Sequence, residues 1–349
     1  MKILFHIKRM SKGGAERVTN ILINELSKRG YDIYVVLKKQ SHYDYPINEN
    51  VHVCYIPESR TSVSELNSFI KSVQPDVMIG VMSSCFYKLF LASIDLDIPI
   101  IASEHTNFRW FESDYNQYIK TEIYRFANIV TVLTENDKKF IEDRLNNVKV
   151  MYNPLTFPIL KDETVKNKII LCAGDLNRWE IKGFDRIIQI WGNISKKYQD
   201  WTLYIAGAGN KENNVKLRDI IKSVDVQDSV QFLGHRKDIK DIMAQSSIFT
   251  ITSREEGFPC VLLEAMSQGC APVSFEIHGN IKEIITDGKD GFLIKDGDLD
   301  SFQEKLELLI NNEELRNTIS KNAIESMKRF ETDKIINQWE DLLKKLTNK

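Results

Sequence analysis

Short runs of β-branched and aliphatic residues alternate along this chain with stretches whose apolar residues recur at helical spacing. Residues 3–7, 33–37, 77–81, 99–103 and 129–133 are almost continuously apolar. That is the character of parallel strands covered on both faces. A helix is expected over residues 14–29, with Val18, Ile21, Leu22 and Leu26 on one face and Gly30 as its stop. Thr134-Glu135-Asn136-Asp137 reads as a cap opening a helix that runs to Arg144. After Asn153-Pro154-Leu155-Thr156-Phe157-Pro158 and the polar stretch 161–168, which read as a linker, the pattern restarts. Strands are expected at 169–173, 203–206, 230–233, 247–252, 271–275 and 291–294. Helices are expected at 184–198, 211–223, 237–245, 259–268 and from Leu299 onward. Two successive series predict an α/β chain of two Rossmann-like, doubly wound domains, 1–155 and 165–330. The final stretch, 331–349, is expected to be a helix that crosses back to the first domain.

Composition narrows the function. The 349 residues are 42% hydrophobic and 28% charged, with a formal net charge of −2. This is globular composition with no global attraction to nucleic acid. No run approaches the ~20 apolar residues of a spanning helix. The apolar start, Ile3 to Ile7, is too short for a signal-peptide core and leads into a strand. The five cysteines are scattered, none in a CxxC pair. The expectation is a reducing, cytoplasmic location with no disulfide framework and no zinc site.

Several strand ends carry candidate chemistry. Ser253-Arg254-Glu255-Glu256-Gly257-Phe258-Pro259 follows a strand and opens a helix that contains Glu264. Amides at such a helix start suit a diphosphate or sugar hydroxyls, and a carboxylate in the second turn suits a ribose. The acid pair also reads as plain dipole complement, and both readings stand on the pattern alone. Ala173-Gly174-Asp175-Leu176-Asn177-Arg178 leads to Lys182-Gly183 at the first strand end of the second series, and Gly13-Gly14 follows the first strand of the chain. Ser103-Glu104-His105-Thr106 ends another strand, where open α/β sheets gather ligands. Gly207-Ala208-Gly209 lacks a third glycine, since Glu212 stands in its place, so it is no dinucleotide fingerprint. Arg236 reads equally as a nucleotide contact or an exposed helix-start arginine. The Asp-x-Asp triplets at 95–97 and 296–300 read as turns and caps, and no metal is expected. The aromatic stretch Phe108, Trp110, Phe111, Tyr115, Tyr118, Tyr124, Phe126 reads as a membrane-interface surface or as helix packing.

Glu256 and Glu264, separated by seven residues, with Gly257-Phe258-Pro259 between them and Ala265-Met266 after, resemble the signature of the retaining glycosyltransferases of family 4. The resemblance runs over essentially the whole chain. It implies the GT-B architecture, two Rossmann-like domains facing a central cleft, with the acceptor on the first and the nucleotide-sugar on the second. It implies transfer of a hexose or N-acetylhexosamine from a nucleoside-diphosphate sugar, UDP above others, to a glycan or polyprenyl-linked saccharide acceptor. It implies no cofactor and no metal, polysaccharide biosynthesis, and peripheral association with the inner face of the cytoplasmic membrane. Residue by residue, Lys182 and Arg178 would grip the diphosphate. Glu256 would lie at the sugar, Glu264 at the ribose, and His105 would contact the transferred sugar. Gly13, Gly14, Gly257, Phe258 and Pro259 would supply backbone contacts. The chain departs from the family at Asp175, where an arginine is usual, with Arg178 the nearest substitute. Two other readings remain at this point: a nucleotide-sugar epimerase of the same architecture, and a non-catalytic sugar-nucleotide binder.

Overall fold

The computed structural model describes residues 1–11, 13–38, 45–109, 113–162 and 164–348. It divides into two compact units, Met1–Thr156 with Phe330–Lys349, and Phe157–Arg329. Trp110 and Phe111, singled out in the sequence, lie outside the described residues.

The first unit holds strands β1 (Lys2–Ile7), β2 (Asp32–Leu37), β3 (His52–Tyr55), β4 (Val77–Val81), β5 (Ile100–Ser103), β6 (Ile129–Val132) and β7 (Val148–Val150). Its first helices are α1 (Gly14–Lys28), α2 (Ser62–Val73), α3 (Ser83–Ala92), α4 (Asp114–Tyr118) and α5 (Glu135–Ile141). The strands form one parallel sheet in the order β3-β2-β1-β4-β5-β6-β7, so the winding reverses between β1 and β4. Strand alternation sends Ile3, Phe5 and Ile7 to one face, with Leu22, Ile23 and Leu26 of α1. Leu4 goes to the other face, with Leu66 and Ile70 of α2 and Phe86 and Leu89 of α3.

The second unit repeats the plan. Its strands are β8 (Asn167–Ala173), β9 (Thr202–Ala206), β10 (Val230–Gly234), β11 (Ser246–Ile251), β12 (Ala271–Glu276) and β13 (Phe292–Lys295). They run parallel in the order β10-β9-β8-β11-β12-β13, and the winding reverses between β8 and β11. Helices α6 (Phe184–Ile194), α7 (Lys211–Ser223), α8 (Ile239–Gln245), α9 (Cys260–Ser267), α10 (Leu299–Asn311) and α11 (Glu313–Met327) surround the sheet.

The last helix, α12 (Thr332–Thr347), belongs to the first unit. Its Ile335, Ile336, Trp339, Leu342 and Leu343 join the core beneath β1 and α1. Each such side chain contributes about 1.5–3 kcal/mol by leaving water. Arg29, at the end of α1, ties the two helices through Asp333 at 2.9 Å and Glu340 at 2.5 Å. No helix of the described residues is long and apolar enough to cross a membrane.

The differences from the sequence pattern are local. Strands β3 and β7 were not foreseen because both are short sheet-edge segments with mixed exposure and no apolar run. The helix capped by Thr134, whose side chain accepts from the Asp137 amide, stops at Ile141 and not at Arg144. The helix expected to run to residue 198 ends at Ile194 and tightens into a 3-10 turn over Ser195–Lys197. Pro259 is the N-cap of α9, with ψ at 107°, and not its first helical residue. Asp298 and Asn210 cap α10 and α7 through their side chains. The aromatic segment divides: Phe108 and Tyr124 are core, while Tyr115, Tyr118 and Phe126 are more than half exposed.

Candidate functional site

In the second unit the loops after β8 and β11 meet at the reversal of winding, the place where open α/β sheets bind ligands. Gly183 makes this contact feasible. Its φ is +67°, and a Cβ there would stand 1.8 Å from the Thr252 carbonyl oxygen, so only glycine fits. The Thr252 hydroxyl donates to the Gly183 carbonyl at 2.7 Å, and the Arg254 amide donates to the Ile181 carbonyl at 2.7 Å. These bonds set Lys182 against Glu256. The ammonium donates to both carboxylate oxygens, at 2.8 and 3.0 Å, and the Ser253 hydroxyl donates to one of them at 2.7 Å. Glu256 is 8% exposed, and these donors satisfy the oxygens that burial takes from water. One layer out, Arg254 grips Asp185 with two bonds, at 2.9 and 2.7 Å, the fork geometry that guanidinium supplies and ammonium does not.

Around this pair the structure sorts the other candidates. Glu264 is the fifth residue of α9 and nearly buried, Phe258 and Pro259 are buried, and Gly257 is half-buried. The burial of Phe258 means its ring packs and only its backbone is on offer. Arg178 is exposed, and among the described residues its side chain joins no ion pair. It meets Lys182 through a backbone bond alone, the Lys182 amide to the Arg178 carbonyl at 2.8 Å. Asp175, where the family has arginine, caps the turn that carries Arg178 by accepting from the Asn177 amide at 3.0 Å. Arg236 is held by Asp238 at 2.8 and 2.6 Å.

In the first unit, His105 is presented by a buried carboxylate. Glu104 Oε1 accepts from the amides of His105 and Thr106, each at 3.0 Å, and from the Thr106 hydroxyl at 2.7 Å. Its Oε2 accepts from the Tyr124 hydroxyl at 2.9 Å and faces Lys120 at 3.4 Å. Burial pushes the Glu104 carboxyl up, but Lys120, Thr106 and Tyr124 together outweigh it and hold the group below its ordinary value. The imidazole behaves oppositely: burial lowers the His105 pKa to about 4, against Glu104 and Asn153, which raise it. His105 Nε2 lies 3.1 Å from the Ser103 hydroxyl, and Thr131 donates to that hydroxyl at 3.2 Å. With the Ser103 proton directed to Nε2, Nδ1 carries the ring proton, and Nδ1 is buried with no hydrogen-bond partner among the described residues. The ring borders a small pocket with Thr131, Tyr152, Asn153 and Trp339. Gly13 and Gly14 are exposed at the start of α1, with Glu16 set between Gly13 and Arg9.

Sequence reasoning did not assign Ser253, the Arg254–Asp185 fork or Glu104 with Lys120. Ser253 and Arg254 lay inside the motif, but spacing does not say which side chain turns toward Glu256. Glu276 was also missed. It ends β12 with both carboxylate oxygens buried and unpartnered among the described residues, and burial raises its pKa despite Lys282.

Comparison with known proteins agrees in both halves of the chain. The family model for glycosyltransferase family 4 matches residues 12–156, and that for glycosyl transferases group 1 matches residues 159–326. An uncharacterized glycosyltransferase of Haemophilus influenzae is 30% identical over 98% of this chain and 99% of its own length. The Campylobacter jejuni GalNAc-alpha-(1->4)-GalNAc-alpha-(1->3)-diNAcBac-PP-undecaprenol alpha-1,4-N-acetyl-D-galactosaminyltransferase is 27% identical over 100% of this chain and 99% of its length. Among solved structures, HepE of Anabaena in complex with UDP superposes with a TM-score of 0.86 at 21% identity, covering 99% of this chain and 100% of that one. Two Rossmann-like units with this order of strands, these two profiles and a full-length relative at 30% identity place the chain in one family: it belongs to the glycosyltransferases of family 4.

Proposed function

We propose that the enzyme transfers a hexose or N-acetylhexosamine from a UDP-sugar to a hydroxyl of a glycan or lipid-linked saccharide, in polysaccharide assembly, with the anomeric configuration retained and without a metal. The observation that carries this reading is the Lys182–Glu256–Ser253 cluster at the winding reversal of the second unit. A nucleoside diphosphate arriving there meets an ammonium that can turn from Glu256 toward phosphate. Arg178 has the freedom to join it. The leaving diphosphate gains charge as the anomeric bond breaks, and donors preorganised around that charge usually contribute most to such catalysis. Lys182, Arg178 and the amides at Gly257-Phe258 fill that role.

Glu256, still held by the Ser253 hydroxyl, positions sugar hydroxyls, and we name no protein nucleophile. Glu264 takes the ribose. In the first unit the Nδ1 proton of His105 is offered to a ligand hydroxyl, and in the second unit Glu276 accepts from one. Support for the donor comes from the UDP complex of the Anabaena protein. Support for the acceptor comes from the undecaprenol-linked glycan in the name of the Campylobacter protein.

The test is a thermal-shift panel with UDP-, GDP-, ADP- and dTDP-sugars and NAD, each with and without EDTA. A ligand at about 100 times its Kd adds roughly 2.7 kcal/mol to the native state. The expected result is a shift with UDP-sugars that EDTA leaves unchanged. A shift with NAD alone, or one abolished by EDTA, overturns the assignment.

A further inference from the structure

The first unit has a charge imbalance that the reading above does not use. Lys38 follows β2 directly, and Lys88 lies in the middle of α3. Both are buried, at 8% exposure each. Among the described residues one carboxylate serves both: Glu58 Oε1 at 2.6 Å from Lys88 and Oε2 at 3.6 Å from Lys38. The Glu58 side chain is 65% exposed. Their other contacts among the described residues are neutral. Lys88 donates to the Ser62 hydroxyl at 2.9 Å and Lys38 to the Ser84 carbonyl at 3.4 Å. Lys8 extends the positive field from the end of β1, and His6, beneath, is kept neutral by burial and by Lys38, its pKa lowered to about 3.

Buried charges are ordinarily matched by partners, because desolvation is costly otherwise. Among the described residues, two sequestered ammonium groups against one solvent-facing carboxylate leave a cationic site unmatched. It stands at the carboxyl ends of β1, β2 and β4, where the winding of this sheet reverses and ligands of open α/β sheets collect. The backbone there is strained as well. Met82, between β4 and α3, has φ +68° and ψ 158°, a combination that side chains avoid and that functional sites tolerate. Glu58 occupies the site as a removable counter-ion on an outward-facing side chain.

We infer that Lys38 and Lys88, with Ser62, form a binding site for a phosphate or diphosphate ester carried by the acceptor, and that the ester displaces Glu58. The inference rests on the glycosyltransferase reading for the word acceptor, but not for the chemistry of the site. A dianion matches two ammonium groups better than one carboxylate does, and the Ser62 hydroxyl adds a donor. The same chemistry fits a diphosphate on a polyprenyl lipid and a phosphate on a soluble saccharide.

The experiment is titration calorimetry with inorganic pyrophosphate and with farnesyl diphosphate, with UDP saturating so that any donor site is filled. Glu58→Gln, which removes only the exposed competitor, should tighten both by about two- to fivefold. Lys38→Met and Lys88→Met, which keep the buried stems, should weaken both by about tenfold or more. The UDP thermal shift should be the same in all three variants, which shows that they are folded. Tighter farnesyl diphosphate than pyrophosphate assigns the lipid source, and equal affinity assigns a phosphate on a soluble acceptor. Equal pyrophosphate affinity in wild type and all variants, or no binding of either probe, overturns the inference. Absence of any UDP shift would count against the donor reading alone, since the variant comparison still locates the pyrophosphate site.

Discussion

The two units share one plan, a parallel sheet wound outward from a central reversal, yet they treat charge at that reversal differently. In the second unit three ion pairs gather near the reversal, Lys182 with Glu256, Arg254 with Asp185 and Arg186 with Asp296, and Arg178 and Glu276 stand outside them. In the first unit Lys38 and Lys88 share Glu58, while Glu104 is enclosed by Lys120, Tyr124 and Thr106 purely to hold a turn. A matched cluster has fixed geometry, which suits the chemistry of bond breaking. An unmatched one has spare charge, which suits capture of an anion. Topology therefore places both clusters, and side-chain pairing distinguishes them.

The largest break of this comparison is in the second unit. Lys182→Ala should cut turnover by about 10²–10³-fold, read in steady-state transfer assays with UDP-sugar, while the far-UV spectrum stays native. Turnover within twofold of wild type would remove the cluster from the mechanism. In the first unit, Glu104→Gln leaves Lys120 buried beside a neutral partner and should cost about 3 kcal/mol, measured by urea unfolding. An unchanged midpoint would mean that Glu104 is not the anchor of the His105 turn.

Acid should separate the units next. His6 and His105 have folded pKa values lowered to about 3 and about 4 from 6.5. Between those values and 6.5 the unfolded chain binds more protons, so stability rises with pH and is lost as pH falls. Each group contributes at most about 1.4 kcal/mol per pH unit in that window. Glu104, held below its ordinary value, adds loss in the same direction as pH drops through its folded pKa. Hydrogen exchange from pH 7 to pH 4.5 should show β1 and β5 losing protection before β8 and β11. The opposite order would refute this. The smallest effect belongs to Arg236→Ala, whose partner Asp238 is exposed like itself. It should leave the urea midpoint and UDP binding unchanged; a lost UDP shift would restore Arg236 as a nucleotide contact.

Much of this was legible along the chain. The apolar run at 77–81 and the β-branched run at 247–252 announced buried parallel strands, and Thr134 and Gly30 marked helix ends as their chemistry requires. The motif from Ser253 to Glu264 and the pair Lys182-Gly183 pointed to the same sheet end. Edge strands β3 and β7 were hidden because half-exposed segments carry no apolar period. The imbalance at Lys38 and Lys88 was hidden too. Its members are 20 to 50 residues apart in sequence, and a lone lysine after a strand looks like any solvated one.

The sequence by itself determined the alternation of strands and helices, the two successive series and the motif-bearing loops, because burial periodicity and turn chemistry act between near neighbours. Only the tertiary structure decided which charges meet. That Lys182 reaches Glu256, that Glu104 turns inward to hold His105, and that Glu58 must serve two lysines follows from chain segments brought together by sheet order. Electrostatic partnership depends on distances of a few ångströms and on exclusion of water, and neither is written in the spacing of residues along a chain.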